Sequence, residues 1–179
     1  MEEREQLAVW VRIYRDEFGI VLDASQIKIP AHQEGFDRLI VVAEGLTPER
    51  IFWALKRRMP ASKYWDDLDG AVSVRKTEKA YAVWVRDRVE ADEELKNKSA
   101  NDLGDSANCI ALEERLLLEI AYFRERGNNL DIVSSTLCAG SHFSQGSIPT
   151  VGYRGGAVYV GWEDPGNAED FLRVREVKR

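Results

Sequence analysis

The order in which helical and extended patterns follow one another is the strongest constraint on this chain. Leu7, Val11, Tyr14 and Phe18 recur at i, i+4, i+7 and i+11, with Trp10 broadening the stripe. This spacing predicts a helix over 3–18, and Gly19 follows where a left-handed cap belongs. Ile27 and Ile29 then mark a short extended piece ended by Pro30. Leu39 to Ala43 is a short, wholly apolar run, as expected of a strand buried on both faces.

Thr47-Pro48-Glu49 opens a second helix: a hydroxyl at the N-cap, proline in the first turn and an acid beside it. Ile51, Phe52, Leu55 and Met59 form its apolar stripe and Pro60 stops it. Lys56, Arg57 and Arg58 fall in its last turn, where cations suit the helix dipole, which is the reading favoured here over a phosphate site. Residues 71–75 and 80–86 alternate in period two, which predicts a hairpin closed by Lys76 to Lys79.

The chain then turns charged and polar from Arg86 to Asp105, a possible seam between two lobes at about 89–108. A third helix is expected over 112–126 from Leu112, Leu116, Ile120 and Phe123, widened by Leu117 and ended by Gly127. Strands follow around 135–138, 151–153 and 157–162, with Arg154-Gly155-Gly156 as a tight turn, and the tail from Phe171 alternates weakly. Helices and extended runs do not alternate one for one, so a regular βαβ winding is not indicated. The expected fold is a single α+β domain over 1–179, an antiparallel-rich sheet with about three packed helices.

Composition narrows the classes of function. The 179 residues, 44% hydrophobic and 31% charged, suit one folded core rather than a disordered chain. A net charge of -6 argues against broad nonspecific binding to nucleic acid or to anionic membrane. Met1-Glu2-Glu3-Arg4-Glu5 has no apolar segment behind a basic start, and no run has the length of a membrane span. A cytoplasmic protein with Cys109 and Cys138 both reduced is the expectation.

The common catalytic signatures fail: the chain has no phosphate-binding glycine loop, no HExxH and no GxSxG. The nearest calcium-loop pattern, Asp67-x-Asp69-Gly70, breaks down at Trp65 and Lys76. No metal ligand is assigned and no cofactor is named by the sequence. Two stretches could carry a site. Arg86, Asp87, Arg88 and Glu90 leave the strand expected at 80–86, where arginines could hold an anion and acids could orient it. Cys138, Ser141 and His142 pair possible nucleophiles with an imidazole in a glycine-containing turn. The plainer readings are an ion-paired strand exit and a buried cysteine before a polar turn. Trp10, Trp53, Trp84 and Trp162 are expected in the core, and Trp65 is the one to examine for exposure.

The blocks Trp84 to Asn97 (WVRDRVEADEELKN), Glu113 to Leu118 (EERLLL) and Thr136 to Gly146 (TLCAGSHFSQG) resemble an uncharacterised bacterial protein family. The resemblance implies a bacterial cytoplasmic setting and transfers no activity. Within it, arginine stands at the position of His142, which weakens a histidine base there. With no complete catalytic set visible, the favoured function is a noncatalytic binding or interaction protein whose partner is another protein or a small anionic ligand. The alternative is a hydrolase or nuclease-like phosphoryl-transfer enzyme using the acids after strand 80–86.

Overall fold

The computed structural model describes residues 2–179. Helix α1 (Glu3–Ile13) runs on as a π-helical turn over Tyr14–Phe18, and Gly19 ends it at φ 65°. Its buried side differs from the expected stripe. Gln6, Trp10, Ile13, Tyr14 and Glu17 are buried, whereas Leu7, Val11 and Phe18 are only partly covered. The reason is the strand beneath it. Strand β1 (Arg38–Val42) is buried at every residue and presents one free edge to α1. Gln6 accepts from the Leu39 amide at 2.8 Å and Trp10 donates to the Leu39 carbonyl at 2.9 Å. Tyr14 donates to the Val41 carbonyl at 2.7 Å and accepts from the Ala43 amide at 3.0 Å. Buried main-chain groups must find partners, so the polar tips of α1 face inward.

Helix α2 (Pro48–Arg58) starts as expected, with the Thr47 hydroxyl accepting from the Arg50 amide. Strand β2 (Ala61–Lys63) follows it. The hairpin expected over 71–86 does not form. Strand β3 (Val72–Ser73) pairs with β6 (Ser141–His142), and β4 (Tyr81–Val85) pairs antiparallel with β1. Both β1 and β4 are apolar on both faces, so burying them side by side outweighs the shorter connection.

Residues 86–105 form no helix but a series of short 3₁₀ turns, including 93–95 and 100–102. Helix α3 (Leu112–Arg126) has the expected bounds, and Gly127 ends it at φ 67°. Every residue from Leu112 to Tyr122 is buried, charged ones included. The remaining strands are β5 (Ser135–Leu137), β7 (Ile148–Arg154), β8 (Ala157–Glu163) and β9 (Leu172–Arg173). They build a mixed sheet in the order β2-β8-β7-β5-β9, antiparallel inside and parallel at both outer pairings. Gly155 and Gly156 turn β7 into β8 at φ 58° and 82°, the double positive φ of a primed turn. The fold is α+β.

The tail after β9 joins the parts. Its carbonyls at Val174 and Arg175 accept from Asp92 and Ile110, and the Val177 amide donates to Asn108, each near 3 Å. Lys178 and Trp84 exchange two bonds at 2.9 Å, so the tail ends as a partner of β4. The large apolar core draws on residues from Trp10 to Val177, on both sides of the 86–105 stretch.

Candidate functional site

The charges leaving β4 are consumed internally. Arg86 reaches Asp92 at 2.7 Å and Glu176 at 2.9 Å, and its guanidinium lies 4.2 Å from the Phe36 ring centroid. Burial raises the Asp92 carboxyl even against Arg86 and the Glu176 amide. Asp87 pairs with Arg126 at 2.9 Å. Arg88 grips Glu94 through two nitrogens at 2.7 and 3.0 Å, which holds that carboxylate down to about 2. Glu90 spans the amides of Ile132, Val133 and Ser134 and the Ser134 hydroxyl, tying down the turn into β5.

The second stretch is split by burial. Cys138 is fully buried, and desolvation pushes its thiol well above the usual range, so it is held protonated. Burial also pushes Cys109 up to about 11, and both cysteines are free thiols. His142 is exposed on β6, while the Ser141 hydroxyl is buried and accepts from the Leu112 amide at the start of α3. Residues 86–90 and 138–142 meet different partners and do not converge: the first set surrounds the exit of β4, the second the start of α3.

What the sequence reading missed lies on α3. Arg115 binds Glu119 at 2.7 Å and Asp131 at 2.8 Å, with all three side chains buried. Arg175 binds the other Asp131 oxygen at 2.7 Å, and the Thr136 hydroxyl donates to Asp131 at 2.5 Å. Burial would raise Asp131, but Arg175 and Arg115 outweigh it and keep its carboxyl below the usual range. Asp131 sits at φ 52°, a left-handed conformation that aspartate tolerates better than most residues. The neighbouring Glu114 takes Arg75 at 2.5 and 2.8 Å and the Tyr81 hydroxyl at 3.0 Å. Glu113 has no ion pair: Ser73 donates to it at 2.7 Å, and the Ser73 hydroxyl in turn lies 2.7 Å from that of Ser141. Burial and the adjacent Glu114 push its carboxyl up to about 7. On α3 itself three acids and one arginine, Glu113, Glu114, Glu119 and Arg115, are buried where a surface helix would give such residues to water.

One concavity has a different character. A cleft of about 610 Å³ opens between residues 28–31 and β4, floored by Ile29, Pro30, Ala80 and Ala82. Lys28, Arg75, Lys76, Lys79 and Arg179 line it, and no aspartate or glutamate side chain does. Arg75 is committed to Glu114, and Arg179 reaches Asp105 at 3.4 Å. Among the described residues, Lys28, Lys76 and Lys79 pair with no acid, and all three are exposed. Neither sequence stretch singled out as a site reaches this cleft. No protein-family model, no curated protein and no solved structure matches this chain. Geometry and charge therefore carry the functional argument.

Two further expectations change. Trp53 and Trp162 are 49% and 43% exposed rather than core, while Trp65 is partly buried against Phe143 at 4.7 Å between ring centroids. Trp53 lies on the outer side of α2, where Lys56 and Lys63 stand over its ring. Asp67 accepts from the Asp69 amide, so the calcium-like stretch is a capped turn. Among the described residues, no group of three or more histidine, cysteine, aspartate or glutamate side chains could hold a metal ion. No helix is long and apolar enough to cross a membrane.

Proposed function

We propose that this protein is a noncatalytic binding protein that holds an anionic ligand in the cleft between residues 28–31 and β4. One observation carries the reading: five cations and no aspartate or glutamate line this cleft, three of the cations in no ion pair, in a chain whose net charge is -6. Arg86, Arg115 and Arg175, by contrast, are paired with acids inside the protein. Leaving three lysines unpaired around one apolar floor keeps like charges close, a repulsion that a bound anion relieves. The cleft is lined by no cysteine, serine or histidine and by no aspartate or glutamate that could serve as a base, so binding without chemistry is the reading it supports. The cytoplasm is the compartment proposed, in keeping with two buried free thiols.

Calorimetric titration with pyrophosphate at low ionic strength tests this. Binding is expected for the wild type, should weaken as salt rises, and should vanish when Lys28, Lys76 and Lys79 are all changed to glutamate. A triple variant that binds pyrophosphate as well as the wild type would remove the cleft from the function, as would a wild type that binds none.

A further inference from the structure

The outer face of the mixed sheet holds a second concavity, unlike the lysine cleft. Helices α2 and α3 lie against the other face, where Val151, Val158 and Val160 join the large core. Side chains alternate across a strand, so Thr150, Gly152 and Arg154 of β7 share the outer face with Tyr159, Gly161 and Glu163 of β8. Ser135 of β5 stands opposite Gly152 on the same face. Leu95, Ala100 and Leu103 cover the part that carries Leu137 and Ile148. The rest is a groove of about 210 Å³. Glycine at 152 and 161 keeps its floor low. A Cβ on Gly152 would lie 2.4 Å from the Ser135 hydroxyl, and one on Gly161 would lie 2.8 Å from the Tyr159 ring. Glycine inside a strand weakens it and marks places where something approaches the backbone closely. The polar groups around this floor lack partners. Thr150 is 8% exposed, and its hydroxyl makes no hydrogen bond among the described residues. Arg154 and Glu163 are in no ion pair among the described residues. Arg154 reaches the Ser135 hydroxyl at 3.5 Å and the Phe171 ring at 5.5 Å, and Glu163 accepts from Asn167 through one oxygen at 2.6 Å.

We propose that this groove binds a free peptide of two or three residues, its carboxylate on Arg154 and its ammonium on Glu163. The site shares no lining residue with the lysine cleft and goes beyond the function proposed above. Charge and spacing carry it. The Arg154 guanidinium lies beside Ser135, on the rung Ser135–Gly152–Tyr159. Glu163 is four residues further along β8, about 13 Å at roughly 3.3 Å per residue. Strands β5 and β8 flank β7, which adds up to about 10 Å sideways at roughly 4.8 Å per strand. The two charges are then about 13–16 Å apart, too far to pair with each other. A hydrogen bond of about 2.8 Å at each end leaves about 8–10 Å between them. An extended chain covers about 3.3–3.6 Å per residue, so two or three residues span that gap and a single amino acid does not. An ammonium donates to the Glu163 carboxylate, and a carboxylate takes the arginine fork through two parallel bonds. Between them the Thr150 and Tyr159 hydroxyls can donate to or accept from a peptide group. Trp162, 43% exposed beside Glu163, gives an apolar surface for the first side chain. A sugar carries neither charge, and a simple anion meets Glu163 with the same sign.

The test is calorimetric titration with tri-alanine, its N-acetylated form and its C-terminal amide. Each block removes one terminal charge and should weaken binding to the wild type by about tenfold. Glu163→Gln should bind tri-alanine more weakly by the same factor and stop discriminating against the acetylated peptide alone. Arg154→Gln should do the same for the amide alone. Alanine itself should bind at least about tenfold more weakly than tri-alanine, because it cannot reach both ends. A wild type that binds all three peptides equally, or binds no tri-alanine at millimolar concentration, would overturn the proposal. So would discrimination that survives both substitutions. Competition from pyrophosphate would place the peptide in the lysine cleft, and tighter binding of maltotriose would make the groove a sugar site; either result rejects it.

Discussion

The buried charges around α3 and the cations of the cleft are two answers to the same electrostatic problem. At α3, two arginines, two acids and a hydroxyl close on one another, with every member named above inside the protein. At the cleft, three exposed lysines surround an apolar floor, and no aspartate or glutamate is among the lining residues. Paired buried charge specifies one arrangement of the core and is expensive to disturb. Unpaired exposed charge adds little to stability and leaves a ligand something to neutralise. The contrast separates residues that hold the fold from residues available for binding, although both groups look alike as letters.

The sharpest way to break this contrast is Asp131→Ala. It strands Arg115 and Arg175 without their shared carboxylate, and the loss should be about 3–5 kcal/mol in chemical denaturation. A loss below about 1 kcal/mol would mean that water already reaches the network. Leu116→Ala deletes a fully buried side chain from the same helix and should cost about 2–5 kcal/mol, so an unchanged denaturation midpoint would remove α3 from the core.

Glu113 gives the comparison a pH axis. Its carboxyl is raised to about 7 in the folded protein, so the folded state keeps its proton where the unfolded state has released it. Stability from this group is therefore full below the ordinary glutamate range and falls as pH rises towards 7. The fall should be about 3 kcal/mol, and Glu113→Gln should abolish it and leave the variant the more stable above pH 7. Parallel stability curves for the two proteins between pH 4 and 8 would show that this carboxyl is not buried in its neutral form.

The smallest effect is expected at the cleft. Lys76→Ala with Lys79→Ala should change folding stability by no more than about 0.5 kcal/mol while weakening pyrophosphate binding. A large loss of stability with binding untouched would reverse the roles assigned to the two regions.

Local patterns were legible where local physics decided the outcome. The bounds of α2 and α3, the caps at Thr47, Gly19 and Gly127, and the turn at Gly155-Gly156 all follow from backbone chemistry written in a few neighbouring letters. Which face of a segment meets what is a different matter. The stripe of α1 turned because the edge of β1 needed Gln6, Trp10 and Tyr14, and no periodicity in 3–18 records what lies beneath it. The 71–86 hairpin failed for a related reason, since β4 found a better-matched strand some forty residues upstream. A run of charges reads the same in sequence whether its partners are solvent, ligand or the protein itself. Arg86, Asp87, Arg88 and Glu90 proved to have partners at 92, 126, 94 and 132–134, and only folding supplies those. The lysines of the cleft lie between 28 and 79, on either side of α2 and β1, with no motif joining them. The sequence by itself determined where helices begin and end, because capping and φ preferences act over a few residues. Tertiary structure alone decided which charges are spent and which remain free, because Coulomb attraction depends on distance in space and not on separation along the chain.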